Sequence, residues 1–208
     1  MDHNANSPWR YQSQALFAKL AAQFSPAWLS MVRRPAGASS DSNGSNVWLF
    51  PECFDFVISR QLNSGAWESY ATPVDGILNT AAALLTLTKH LQSQPGNYDW
   101  QVRSQKARVA LEALLKKWDI HSTDQVGQEI LIISLLDLLR KSGVRIEFPH
   151  LSALQAARDA KLAKIPPSTV YQGRSTLYHS LEAFIGHIDF DNVAQWREKN
   201  GSLMDSPA

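Results

Sequence analysis

The chain has 208 residues, of which 44% are hydrophobic and 19% charged, a composition that folds into a globule and excludes the disordered, collagen-like and disulfide-scaffold classes. Lys and Arg number 20 against 19 Asp and Glu, so the net charge is +1 and no bulk field draws in nucleic acid or an anionic membrane. A single cysteine, Cys53, can form neither an intrachain disulfide nor a Cys-based zinc site. It fits a reducing compartment, hence a cytoplasmic location, and reads as a small buried hydrophobe.

The polar start Met1-Asp2-His3-Asn4, and Lys19 after the apolar Ala15 to Ala18, do not make a secretory leader. Residues 13–24 place Leu16, Phe17, Leu20, Ala21 and Phe24 at three and four spacings, which predicts an amphipathic helix that Pro26 ends. Residues 34–46 are rich in Gly, Ser, Asn and Pro and read as a flexible linker. Helical patterns then follow at 51–62, 77–94, 99–118, 126–142, 149–164 and 176–199, the last with a break near Gly186. No run alternates as a strand would. The most apolar stretches, Ala81 to Leu87 and Ile130 to Leu139, fall short of the ~20 residues that a membrane span needs. A helix apolar on most sides is buried by other helices, so the expected class is all-α, a bundle or an α/α barrel.

No Gly-rich phosphate loop, His-Glu-x-x-His pair or Gly-x-Ser-x-Gly elbow occurs. The 6 histidines are scattered: His3, His90, His121, His150, His179 and His187. His179 and His187 share a helix face only if Gly186 leaves the helix intact, which makes a poor metal pair. Asp189-Phe190-Asp191-Asn192 superficially resembles a paired-carboxylate acid site. It reads better as a helix start, with Asp189 as the cap and Asp191 near the N-terminal dipole. Asp119, His121, Ser122, Thr123 and Asp124 likewise suit capping between two helices better than a divalent-ion site. The 7 tryptophans and 8 phenylalanines could line a cavity for a carbocation, or simply fill helix interfaces. In Gln61-Leu62-Asn63-Ser64-Gly65-Ala66-Trp67, a Gln at a helix end, a Gly turn and a Trp form a stabilising device: the Gln bonds free backbone groups while the indole packs over it.

Six ordered strings carry a family resemblance: Trp48-Leu49-Phe50-Pro51-Glu52-Cys53-Phe54, QLNSGAWESY (61–70), VDGILNTAAALL (74–85), EILIISLLDLL (129–139), STLYHSLEAFIGHIDFD (175–191) and NGSLMDSP (200–207). As an ordered set covering about residues 27–208, they resemble the N-terminal, γ-domain region of fungal class II diterpene cyclases, especially the bifunctional copalyl diphosphate/ent-kaurene synthases of the terpene synthase family. The resemblance implies an α/α barrel of the terpenoid cyclase type with a partial β-domain edge. Residues 1–33 would hold an N-terminal helix left from the β domain, 34–46 the linker, 47–199 the γ domain and 200–208 the return towards β.

Such enzymes protonate the terminal alkene of geranylgeranyl diphosphate with the middle Asp of an Asp-x-Asp-Asp motif, and a carbocation cascade then closes two rings. Neither that motif nor the Asp-Asp-x-x-Asp magnesium motif of the class I half occurs in these residues. Mg²⁺ is expected for the family, but the acidic patch of the γ domain is reduced to Asp119 and Asp124, and Gln125 and Gln128 stand where His and Phe are expected. His179 resembles the histidine that, with an Asn and a water, removes the final proton in ent-copalyl diphosphate synthases. On its residues alone it is a packed or capping histidine. The resulting expectation is a piece of a cyclase that is inactive by itself and would bind geranylgeranyl diphosphate only when a β domain, on this or a partner cyclase chain, completes it. The rival readings are a non-catalytic helical interaction module and a gene fragment.

Overall fold

The computed structural model describes residues 24–33, 48–70, 72–120, 127–171, 181 and 183–195. The linker at 34–46, the apolar pattern at 13–23, the return at 200–208 and His179 lie outside them. Among the described residues the regular structure is helical and no β-strand occurs; only two isolated bridges interrupt it, Arg33 with Trp48 and Ile185 with Ile188.

Among the described residues eight helices follow in order: α1 (Phe24–Ser30), α2 (Pro51–Ser59), α3 (Pro73–Ser93), α4 (Tyr98–Lys117), α5 (Gln128–Lys141), α6 (Leu151–Leu162), α7 (Pro167–Tyr171) and α8 (Phe190–Ala194). They fall into two compact units. One draws on Met1–Trp118 and Leu139–Ile146, the other on Asp119–Leu138 and Glu147–Ala208.

In the first unit α3 is the central element, packed against α4, α1 and α2. Thr72 and Asp75 fix its start: the Asp75 carboxylate accepts from the Thr72 N–H at 2.8 Å, and Pro73 occupies the first turn, where an N–H is not needed. The helix therefore begins four residues before the predicted 77, and Gly76 is accommodated inside it. Ile77, Leu84, Leu85 and Leu87 are fully buried, each adding about 1.5–3 kcal/mol of hydrophobic stabilisation. α4 shows the opposite pattern. It buries one stripe, Ala107, Ala110, Leu111 and Leu115, and its outer face carries the i,i+4 pairs Asp99–Arg103 and Arg108–Glu112. Asn97 caps it by accepting from the Trp100 N–H at 3.1 Å.

α1 docks through polar as well as apolar groups. The Thr86 hydroxyl donates to the Ala27 carbonyl at 3.0 Å, and the Ser30 hydroxyl to the same carbonyl at 2.7 Å, all in buried surroundings. The Thr86 bond fixes the register of α1 on α3, because a slip leaves buried groups unsatisfied, while the Ser30 bond lies within α1. α1 contains Pro26 and runs to Ser30, while the predicted helix that Pro26 was to end lies, up to residue 23, outside the described residues. Pro26 sits in the first described turn, where its missing N–H removes no bond of that segment.

In the second unit Ile130, Leu162, Ala183, Phe184, Ile188 and Val193 form the core, with Leu131, Ile165, Tyr171 and Leu181 packed against it. A continuous helix over 176–199 is not formed. Residues 183–184 lie in a 3₁₀ turn, Gly186 takes a left-handed φ of 83°, and among the described residues only the short α8 follows. The break near Gly186 is thus real and the helix beyond it is one turn long.

Candidate functional site

The string that carries the resemblance to a proton-removing histidine, 175–191, lies in the second unit. Its described part is held by three tertiary hydrogen bonds. The Ser134 hydroxyl of α5 donates to the Ala183 carbonyl at 2.7 Å in the core. The His187 ring donates through Nε2 to the Ile165 carbonyl at 3.1 Å. The Tyr171 hydroxyl accepts from the Asp189 N–H at 2.7 Å. Segment 183–189 is therefore anchored on three sides, and no sequence pattern marks Ser134 or Tyr171 as anchors.

Asp189 is the cap the sequence pointed to: its Oδ1 accepts from the Asp191 N–H at 3.0 Å and its Oδ2 from the Asn192 amide at 3.1 Å. Both carboxylate oxygens are taken up in capping, so the geometry is that of a helix start and not of a paired-acid site. His187 is engaged with a carbonyl and His150 is exposed at the start of α6. Two ionic contacts among the described residues, Lys161 with Glu129 and Arg158 with Asp137 at 3.8 Å, tie α6 to α5.

Among the described residues no three His, Cys, Asp or Glu side chains gather as a metal site. These residues do not fit the magnesium that the resemblance implies, and positions 121–126, with His121 and Asp124, lie outside them. No helix among the described residues is long and apolar enough to cross a membrane.

In the first unit the 61–67 device is present with its roles exchanged. The Trp67 indole donates to the Val57 carbonyl at the end of α2 at 2.8 Å, while Gln61 donates to the Gly65 and Arg103 carbonyls, both at 3.0 Å. The indole caps the helix and the amide ties the turn to α4. Three of the aromatic rings fill a helix interface: Trp48, Phe54 and Trp100 surround the buried His90. Cys53 is half-buried, and burial, with Glu52 beside it, pushes its thiol up.

A search of protein-family models finds none that matches the chain. Individual proteins do. Pimaradiene synthase pbcA of Emericella nidulans is 43% identical over 195 residues, 90% of this chain and 19% of its own length. Copalyl diphosphate synthase of Talaromyces verruculosus is 38% identical over 194 residues, again 90% of this chain and 19% of its own. Ent-kaur-16-ene synthase of Phaeosphaeria sp. (strain L487) is 36% identical over 195 residues, 89% of this chain and 20% of its own. Among solved structures, abietadiene synthase from Abies grandis superposes with a TM-score of 0.68 at 26% identity, over 86% of this chain and 23% of that one. The chain is homologous to one region of the fungal diterpene synthases and has the all-α fold of terpene cyclases. It spans about a fifth of the length of the relatives it matches.

Proposed function

We propose that these residues are the part of a class II diterpene cyclase that lacks the acid. They would shape one side of the cavity in which geranylgeranyl diphosphate is folded, and the proton would come from a region carrying Asp-x-Asp-Asp, on the same polypeptide or on a partner cyclase chain. The observation that carries this reading is the homology itself: nine-tenths of the chain aligns, at 34–43% identity, with a fifth of diterpene synthases. Alkene protonation requires a positioned acid, and positioning without one lowers the barrier too little. The residues in hand carry no Asp-x-Asp-Asp, so by themselves they do not start the cascade.

His179 is the residue assigned to its end. An imidazole is mostly neutral at pH 7 and can accept the last proton from the carbocation, through a water held by an Asn supplied from elsewhere. A cytoplasmic site of action is part of this reading, supported by the lone Cys53.

The test is an exchange. The matching fifth of the Talaromyces verruculosus copalyl diphosphate synthase is replaced by this chain, and product is measured from geranylgeranyl diphosphate. The chimera is expected to make copalyl diphosphate, and His179→Ala within it to lower the rate by about 100-fold or more, the usual contribution of an acid–base group. A soluble, helical chimera without product would overturn the proposal. An undiminished His179→Ala chimera would remove the role of His179 alone.

A further inference from the structure

His90 sits in the first unit with 3% of its surface exposed, on the α3 face that receives α1. Its ring is layered between two others: Phe54 of α2 lies parallel at 3.7 Å between centroids and 4° between planes, and Trp48 at 4.3 Å and 19°. Trp100 of α4 meets it edge-on at 6.0 Å. Nε2 faces the Ser30 carbonyl, the last residue of α1, at 2.9 Å. A carbonyl only accepts, so Nε2 carries the proton of the neutral ring and a second proton must go to Nδ1. One imidazole thus holds the end of α1 and stacks on Trp48, which pairs with Arg33 across positions 34–47.

We propose that His90 is an acid-sensitive latch: neutral, it closes α1 and the Arg33–Trp48 pair onto α3, and protonation at Nδ1 loosens both. A charge there lies between apolar rings on a residue that is nearly buried, so burial disfavours it and the ring relieves it by moving outwards, which breaks the Ser30 bond and unstacks Trp48. The charged groups around the slot leave that balance in place. Asp55 of α2 favours the protonated ring, while Arg33, 5.4 Å over the Trp48 ring, adds positive charge beyond the indole. α1 carries no charged side chain, and α4 reaches the ring through Trp100. Burial outweighs the Ser30 bond and Asp55, and it lowers the proton affinity of His90 below the ordinary value of 6.5. The unfolded chain then binds the extra proton more readily. The stabilisation is complete above about pH 6.5 and is lost as pH falls through the lower folded value.

The test is an NMR titration of the whole chain from pH 7.5 to 5, following the His90 ring and the amides of residues 27–33. The amides are expected to change with the same midpoint as the ring, and their exchange protection, corrected for intrinsic rate, to fall about tenfold for each pKa unit of depression. In His90→Gln, whose amide can still donate to Ser30 but does not titrate, the same amides should stay constant. The latch is refuted if the ring titrates while residues 27–33 do not respond, if His90→Gln responds as the natural chain does, or if the ring keeps the ordinary midpoint. Coupling of ring and amides is read on the natural chain alone, so the proposal stays testable even should the Gln variant fold poorly.

Discussion

Trp67→Ala is expected to lower the free energy of unfolding by about 3–5 kcal/mol, the range for deleting a large buried aromatic. Trp67 is 1% exposed and is held at two points, its N–H by the Thr80 hydroxyl at 3.1 Å and its indole by the Val57 carbonyl at 2.8 Å. The loss divides into a packing part and a capping part. Trp67→Phe keeps most of the ring and removes the indole donor, so it should cost about 1 kcal/mol, the net worth of one hydrogen bond. The Val57 carbonyl still accepts from the Arg60 N–H at 3.2 Å, which keeps this second loss small. Denaturant unfolding of the two variants beside the natural chain checks both figures. A loss in Trp67→Phe as large as in Trp67→Ala would show that the indole bond, and not packing, dominates.

The second large effect is expected at Gly65. Its φ of +88° is left-handed, which costs an alanine about 1–2 kcal/mol. A Cβ there would also stand 2.5 Å from the Lys106 carbonyl oxygen and 2.7 Å from its carbon. These are backbone atoms in the middle of α4 and cannot swing away, so the turn itself must retreat and stretch the Gln61 bonds to Gly65 and Arg103. Overpacking of this kind costs about 1–3 kcal/mol, giving about 2–5 kcal/mol in all for Gly65→Ala. Gly143 is the control. It has a similar φ of +92° with nothing within 4 Å of an added Cβ, so Gly143→Ala should show the conformational cost alone. Equal losses at the two positions would exclude the close approach to α4 as a cause.

These two residues also show how much of the fold was legible. The run from Gln61 to Trp67 announced a helix end, a tight turn and a stabilising aromatic, and all three are there. Which side chain caps α2 was not legible, because the answer depends on α4, about 40 residues further on, presenting the Arg103 carbonyl to Gln61. Local spacing gave α4, α5 and α6 to within two residues, since their buried stripes repeat as a helix requires. The same signal misled at 176–199. Ala183, Phe184, Ile188 and Val193 are spaced as a helix face would be and are indeed buried, but in a 3₁₀ turn and around Gly186. Periodicity reported burial there and not helix.

The chemistry was less legible than the fold. His90 stood out in the sequence only as a histidine near a helix end; its slot is built by Trp48 and Phe54, which precede it by about 40 residues and leave no mark beside it. His179 has no local signature of a base either, since its proposed partner is not adjacent in sequence. Only the ordered strings shared with diterpene cyclases single it out, and the homology to their relatives supports the region and not the role.

On the function proposed above, these 208 residues carry no Asp-x-Asp-Asp and do not start a cyclisation by themselves. The most direct measurement incubates the purified chain alone with geranylgeranyl diphosphate and Mg²⁺ and assays for a bicyclic diphosphate, with an intact fungal copalyl diphosphate synthase alongside. Product is expected from the intact enzyme and none from the chain above the uncatalysed background. Turnover by the chain alone would contradict it, and would mean that a proton donor other than Asp-x-Asp-Asp is present in the sequence.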